Sequence, residues 1–562
     1  MNWNILFDYN GTDTAAFVAN LLKNRNITDI ETFLNPPSIA YWFKNLPREL
    51  LRALKNSKTI IEQAIAESIP IIIHGDYDAD GICATAILYD TLHNELGYKN
   101  VFSFIPNRFE HGYGLSKASI DHALTLAAGA EKVLFITVDS GITCVKEVEY
   151  IKQLGHKIII TDHHQKPVEL PKADCIVWYD QIVGTTLSWL VSKILGSHDE
   201  KKLAYCALAT VTDLQPVLDF NRTLVKKGLE VFNTSPPLGL KKLLDVAAKK
   251  GNEVTSYDLG WLLGPRLNAS GRLVDAIHSL NLLLASDEAT ALELAVELNK
   301  VNAERQDKTL QMFELAAKVF EKSDDKIVIS DHEEYHEGII GLIAGKLAQK
   351  FYKPAIVISR PVKRGEKEDS AELNIISKAE QIAKGSARSI AGVNIIEMLR
   401  EFSELFVNVG GHPMAAGFSI EQTKIPEFKK AITDYANKNI ADDVLISSLN
   451  IDAKISTNLI SLDFVVDLEK LKPFGLGNHE PVFASFGLGV AGVNKVGKES
   501  QHLSLRLFDG QNFYKAIGFN MDGDFKVGNS IDIAYTLKKN EFNGSMYIDL
   551  ILKDVKNVQE DN

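Results

Sequence analysis

Residues 71–90 read Ile71-Ile-Ile-His74-Gly-Asp76-Tyr-Asp78-Ala-Asp80-Gly-Ile-Cys83-Ala-Thr-Ala-Ile-Leu-Tyr-Asp90. A β-branched run stops at a histidine and three acids, and a helix-spaced apolar repeat (Ile82, Ala86, Tyr89) follows. That order predicts a buried strand, a tight loop and the start of a helix. In open α/β sheets, ligands bind outside the carboxyl ends of the strands, where His74, Asp76, Asp78 and Asp80 would fall. Carboxylates this close repel one another unless cations or donors offset them, and a hard divalent cation is the natural partner. The competing account is a turn that uses Asp and Gly for backbone geometry alone.

The same grammar recurs downstream. Strands are expected at Ile71–Ile73, Val101–Ile105, Val133–Val138, Lys157–Ile160 and Cys175–Trp178, with helical stretches between them. Alternation of this kind defines a parallel sheet covered on both faces. The third strand runs into Asp139-Ser-Gly141, and the fourth into Thr161-Asp162-His163-His164. Another acid, Asp213, follows the apolar run Ala204–Val211. One acid at a strand end is a common cap, but acids and imidazoles at successive strand ends mark a metal site.

The rest of the composition sets bounds. The chain has 562 residues, 45% hydrophobic and 24% charged, which predicts several soluble globular domains. No apolar run approaches the roughly 20 residues that span a bilayer, and the N-terminus has no signal-peptide pattern. No membrane association is expected. The four cysteines are scattered, with no Cys-x-x-Cys pair, which fits a reducing compartment; cytoplasmic location is expected. A net charge of −12 argues against broad adhesion to nucleic acid but leaves room for a local basic groove.

Asp162-His163-His164, taken with His74-x-x-x-Asp78-x-Asp80, Asp139 and Asp213, resembles the DHH phosphoesterase superfamily. The resemblance implies hydrolysis of phosphoester or phosphoanhydride bonds with two divalent cations, Mn²⁺ or Mg²⁺. It implies that His74, Asp78 and Asp139 hold one ion, and that Asp80, Asp139, His163 and Asp213 hold the other. Asp139 would bridge, His164 would meet the substrate phosphate, and Asp76 would support the loop. Asp139, His163 and His164 are thus the implied catalytic residues. Two cations ~3.5–4 Å apart activate water and stabilise both the attacking and the leaving oxygen.

Leu263-Gly-Pro-Arg266-Leu-Asn268-Ala-Ser270-Gly-Arg272-Leu273 offers guanidinium forks that match phosphate oxygens, with Asn268 between them. Arg108, in the Gly- and aromatic-rich segment Phe104–Leu115, is a further candidate phosphate contact. A helix-forming stretch from Ser286 to about Lys322 reads as a rigid connector of ~50 Å. Beyond it, a second α/β unit carries three Gly-rich stretches, at His336–Lys346, Lys384–Ser389 and Val409–Gly417, expected as phosphate-approaching loops. This unit resembles the DHHA1 domain, which implies a terminal-phosphate role for Ser386 and Arg388 and a substrate-facing role for His412. From about Leu445 short strands replace helices, and Asn543-Gly544 is a hairpin signal, so a small barrel of the oligonucleotide-binding type is expected. His502, Arg506, Tyr514 and Lys515 could contact a single strand there.

The fold class expected is α/β: a parallel-sheet DHH domain joined by a long helix to a smaller α/β DHHA1 domain, with a C-terminal OB-type β-barrel. The expected division is a helical lead-in over 1–50, the DHH domain with the arginine clamp over 51–285, and the connector helix over 286–322. The DHHA1 domain follows over 323–440 and the OB-fold nucleic-acid-binding domain over 441–562. The whole pattern resembles the RecJ exonuclease family, which implies 5′-to-3′ hydrolysis of single-stranded DNA to mononucleotides in recombination and repair. It also implies single-stranded DNA as ligand, and a helicase and a single-strand-binding protein as partners. Three competitors stay open at this point: an oligoribonuclease or cyclic-dinucleotide phosphodiesterase, an inorganic pyrophosphatase of the same superfamily, and a non-catalytic single-strand-binding subunit.

Overall fold

The computed structural model describes all residues except 108, 109, 113, 250, 252, 362–381, 543 and 559–562. Arg108 and the Asn543 half of the hairpin signal therefore lie outside the described residues. Two compact units emerge: Met1–Leu267 with Ala276–Ala295 and Ser448–Asn562, and Asn268–Asp275 with Val296–Ser447.

The first unit holds a five-stranded all-parallel sheet in the order Val101–Phe104, Ile71–His74, Leu134–Val138, Lys157–Asp162, Cys175–Trp178. Its strands are apolar on both faces because both faces are covered. Ile71 and Ile73 pack into one core with Leu50, Leu54, Ile61 and Trp189, while Ile72 enters another with Phe104, Ile120 and Phe135. From Ile71–His74 the chain goes first to Val101–Phe104 on one side, then to Leu134–Val138 on the other. This reversal opens a crevice at the carboxyl ends of Ile71–His74 and Leu134–Val138.

The same unit contains a closed barrel. Phe483–Val496 pairs with His502–Phe508, which pairs with Phe513–Gly518, and Phe513–Gly518 with Ser545–Asn557. Ser545–Asn557 pairs with Ser530–Phe542, which returns to Phe483–Val496 and closes the ring. Residues 2–5 and 8–9, placed by sequence in a helical lead-in, are strands: Asn2–Ile5 pairs with Ser448–Ile451 and Asp8–Tyr9 with Ala453–Ile455. Helices begin only at Thr14. Two buried cations fasten this arrangement. Arg25 pairs with Asp452 at 2.9 Å, and Arg222 donates to the carbonyls of Phe33, Lys470, Leu471, Lys472 and Pro473.

The second unit is built on a mixed five-stranded sheet in the order Phe406–His412, Ala415–Glu421, Ile382–Arg388, Ala355–Ser359, Val328–His332. Helices Ile340–Phe351 and Ile425–Asn439 bury Ile343, Leu347, Phe428 and Ile432. Two of the three Gly-rich stretches expected as loops are strands, and the third opens a helix. Gly385 sits under the Phe418 ring, where a Cβ would lie 2.1 Å from it, so close packing and not a turn demands glycine there. A 33-residue helix, Glu288–Phe320, connects the two halves of the sequence.

Candidate active site

Asp78 is the N-cap of helix Ala79–Asp90, its Oδ1 accepting from the Asp80 and Gly81 amides at 3.0 and 3.2 Å. Asp78 thus does the turn's work, and its carboxylate also stands in a cluster with those of Asp76 and Asp139. Asp80 is gripped from a distant part of the chain. The amides of Gly184 and Thr185, at the start of helix Gly184–Ile194, donate to its two oxygens at 2.8 and 2.7 Å. Glycine is needed at 184 because a Cβ would lie 2.6 Å from the Asp139 Cβ. Asp139 has φ +59, a left-handed conformation that aspartate tolerates better than most side chains.

Asp162 is not among the groups that crowd together. Its carboxylate accepts from the amides of Ile142, His163 and His164 and from His164 Nδ1 at 2.7 Å. Burial raises its pKa, but these bonds outweigh it and hold the carboxyl below the usual range. Its hydrogen bond, and then its charge, in turn lift His164 to about 9 against the opposing pull of burial, so that imidazole is a cation at neutral pH. His163 goes the other way, lowered by burial.

His163 Nε2 lies 3.1 Å from Asp139 Oδ1, 3.5 Å from Asp80 Oδ2 and 3.7 Å from Asp213 Oδ2. Yet both His163 Nε2 and Asp139 Oδ1 are buried with no hydrogen-bond partner among the described residues, as are Asp76 Oδ1 and His74 Nδ1. Buried polar atoms left unpaired cost free energy, and Asp76, Asp139 and His163 each stand in a cluster of ligand atoms, where a cation would repay that cost. Three sets of ligand atoms lie within 4.8 Å of one another: Asp139, His163 and His164; Asp80, His163 and Asp213; and Asp76, Asp78 and Asp139. Burial and the Asp78 charge push Asp76 up to about 7, and burial and Asp80 push Asp213 up to about 8. Asp139 is raised well above the carboxylate range by burial and by Asp80. Mixed carboxylate and imidazole donors suit Mn²⁺ and also accept Mg²⁺, so the residues present fit two such ions.

Asp76, given only a supporting role from sequence, stands with Asp78 and Asp139, whereas His74 belongs to none of the three sets. Its Nε2 meets Ser119 Oγ at 3.0 Å, and burial drops its pKa to about 4, leaving it neutral. Gln215, 3.3 Å from His163 Nδ1, and the Gly184 and Thr185 amides had no sequence signal, since each acts only through the fold. A further acid cluster, Asp90, Glu95 and Asp199, includes two acids already neutralised by the buried Lys202 ammonium.

The arginine segment is helical, Gly264–Leu273, and carries Arg266, Asn268 and Arg272. Within the second unit Arg272 donates to the Gly338 carbonyl at 3.4 Å. There too, Arg388 and His412 share one rung of the sheet, both opposite Ala415, and Ser386 lies two residues along the same face. Arg388 donates to Ser386 Oγ at 3.1 Å, and both crowd Gly341 in the first turn of helix Ile340–Phe351. A helix start with a guanidinium and a hydroxyl beside it suits an anion.

A parallel sheet with clustered acids and histidines at its switch point, followed by a second α/β unit and a closed barrel, defines a DHH-type phosphoesterase. Family models agree: the DHH family N-terminal domain matches residues 70–211, the DHHA1 domain 324–438 and the RecJ OB domain 451–554. The single-stranded-DNA-specific exonuclease RecJ of Bacillus subtilis is 30% identical over 96% of this chain and 67% of its own length. That of Escherichia coli is 30% identical over 91% of each. The crystal structure of RecJ from Thermus thermophilus in complex with Mn²⁺ superposes with a TM-score of 0.80 at 25% identity, covering all of this chain and 80% of that one. Its Mg²⁺ complex gives 0.74. The chain belongs to the RecJ family of single-stranded-DNA-specific exonucleases.

Proposed function

We propose that this protein is a single-stranded-DNA-specific exonuclease that removes mononucleotides from the 5′ end, in DNA recombination and repair. The observation that carries the chemistry is the approach of Asp139 Oδ1 and His163 Nε2 to 3.1 Å, both buried and otherwise unpaired among the described residues, at the switch point of a parallel sheet. Family membership carries the substrate. When bound, two divalent cations supply the nucleophilic water and the charge that the leaving oxygen needs. Asp78 and Asp139, with Asp76 or His74, would hold one ion. Asp80, Asp139, His163 and Asp213 would hold the other. Asp80 is kept rigid by the Gly184 and Thr185 amides, so the site is preorganised before anything binds. His164, cationic through Asp162, offers charge to a phosphate oxygen.

Arg266, Asn268 and Arg272 are assigned to backbone phosphates, and Ser386, Arg388 and Arg108 to the terminal phosphate, with His412 facing the substrate. The five-part division from sequence is carried forward, with residues 2–9 joined to the barrel. An enzyme restricted to single strands depends on others to expose them, which supports a helicase and a single-strand-binding protein as partners.

The test is digestion of end-labelled single strands, duplexes and RNA with Mn²⁺, beside an Asp139→Ala variant. Release of labelled mononucleotide from the 5′ end of single strands only is expected, with loss in the variant. Equal digestion from the 3′ end, activity confined to dinucleotides, or full activity in Asp139→Ala would overturn the proposal.

A further inference from the structure

Tyr257 and Trp261 are 64% and 68% exposed, large rings that most folds bury. They are four residues apart on a helical run, Ser256–Asp258 followed by a wide π-helical turn at Leu259–Leu263, and their rings lie 24° from parallel with centroids 6.0 Å apart. π-turns of this kind recur at functional sites.

What sits beneath the rings locates them. The run packs through its glycines onto the end of helix Lys202–Thr212: a Cβ at Gly264 would lie 2.3 Å from Thr212 Cγ2, and one at Gly260 3.3 Å from Val211 Cγ1. Asp213, whose carboxylate joins Asp80 and His163, is the next residue. Continuing from the rings, the chain enters the helix of Arg266, whose Nη1 is tied to the Leu262 carbonyl at 2.8 Å. One rigid element thus presents exposed aromatic faces and a guanidinium, and it is locked against the helix that delivers a metal-site carboxylate.

We propose that Trp261, flanked by Tyr257, is a stacking platform for a base of the bound single strand near the cleavage point. A single strand offers alternating π-faces and phosphates, and this element offers their complements side by side. Stacking is indifferent to base identity, as an enzyme that must consume any sequence requires. This assignment rests on the exonuclease proposal and adds to it a contact to the base, where the arginines contact only phosphate.

The test uses the full chain in an Asp139→Ala background with Mn²⁺, so that strands are held but not degraded. Binding of a labelled thymidine oligonucleotide is compared with that of an abasic strand of equal length, by fluorescence anisotropy. Trp261→Ala is expected to weaken binding of the thymidine strand roughly tenfold or more, with little change for the abasic strand. Trp261→Phe, which keeps a ring, should retain most of the affinity and so separates lost stacking from lost fold. Equal weakening of both strands, or none, overturns the assignment; unchanged strand binding would make this a face for a protein partner. If Trp261→Ala binds normally while the wild type degrades single strands, this inference fails alone. If the wild type degrades none, the exonuclease proposal fails and takes this one with it.

Discussion

Buried or half-buried acids in the barrel and in the sheet crevice meet opposite fates. Asp509, in the barrel, accepts from the amides of Gln511 and Asn512 and from Thr457 and Tyr514 hydroxyls. Burial raises its pKa, but these donors outweigh it and hold the carboxyl far below its ordinary value. Asp452 likewise has Arg25 and the Val482 amide. In the crevice, Asp76, Asp78, Asp139 and Asp213 are all raised, and among the described residues Asp76 and Asp139 each keep an unpaired oxygen. The fold can evidently satisfy a carboxylate where it needs one for structure. Where it leaves several unsatisfied at one point, the partner is something that binds.

The largest effect expected from breaking this contrast is in Asp139→Asn. Nuclease activity should fall by at least ~10³-fold, since both sets of ligand atoms on either side of Asp139 are affected. The metal-free variant should nonetheless melt higher than the metal-free wild type, because a buried carboxyl that burial and Asp80 keep from ionising is replaced by a neutral amide. A lower melting temperature would mean that the cluster is structural. Gly184→Ala comes next. Its new methyl would overlap Asp139, costing about 1–3 kcal/mol of stability and displacing the carboxylate, with nuclease activity on a standard oligonucleotide falling well below the wild-type rate.

The raised acids also set a pH dependence. With folded values near 7 for Asp76 and 8 for Asp213, against about 4 when unfolded, the metal-free folded state binds more protons across that interval. Its stability therefore falls as pH rises from about 4 through 8. Mn²⁺ must displace those protons, so it should bind more tightly, and raise the melting temperature more, at pH 8.5 than at pH 6. Calorimetry in buffers of different ionisation enthalpy would register the released protons. The smallest effect belongs to the barrel. Asp509→Ala should cost about 1–3 kcal/mol by leaving donors unmet, with the rate on a dinucleotide unchanged.

Much of this was legible in the sequence because apolar runs ending in acids report both a strand and its carboxyl end. The parallel sheet, the second α/β unit and the barrel all follow from such local signals. Glycine misled. At Gly385 it serves close approach to Phe418, so a strand stands where composition points to a loop. Residues 2–5 and 8–9 are strands only because partners more than 440 positions away receive them. The donors to Asp80 are backbone amides, which carry no residue signature at all.

The central claim, that the unpaired acids and histidines are a two-cation site, is tested most directly by counting bound Mn²⁺ by equilibrium dialysis. Two ions per chain are expected for the wild type, with both weakened in Asp139→Ala and only one in Asp213→Ala. No binding by the wild type, or an equal count in all three proteins, would contradict it.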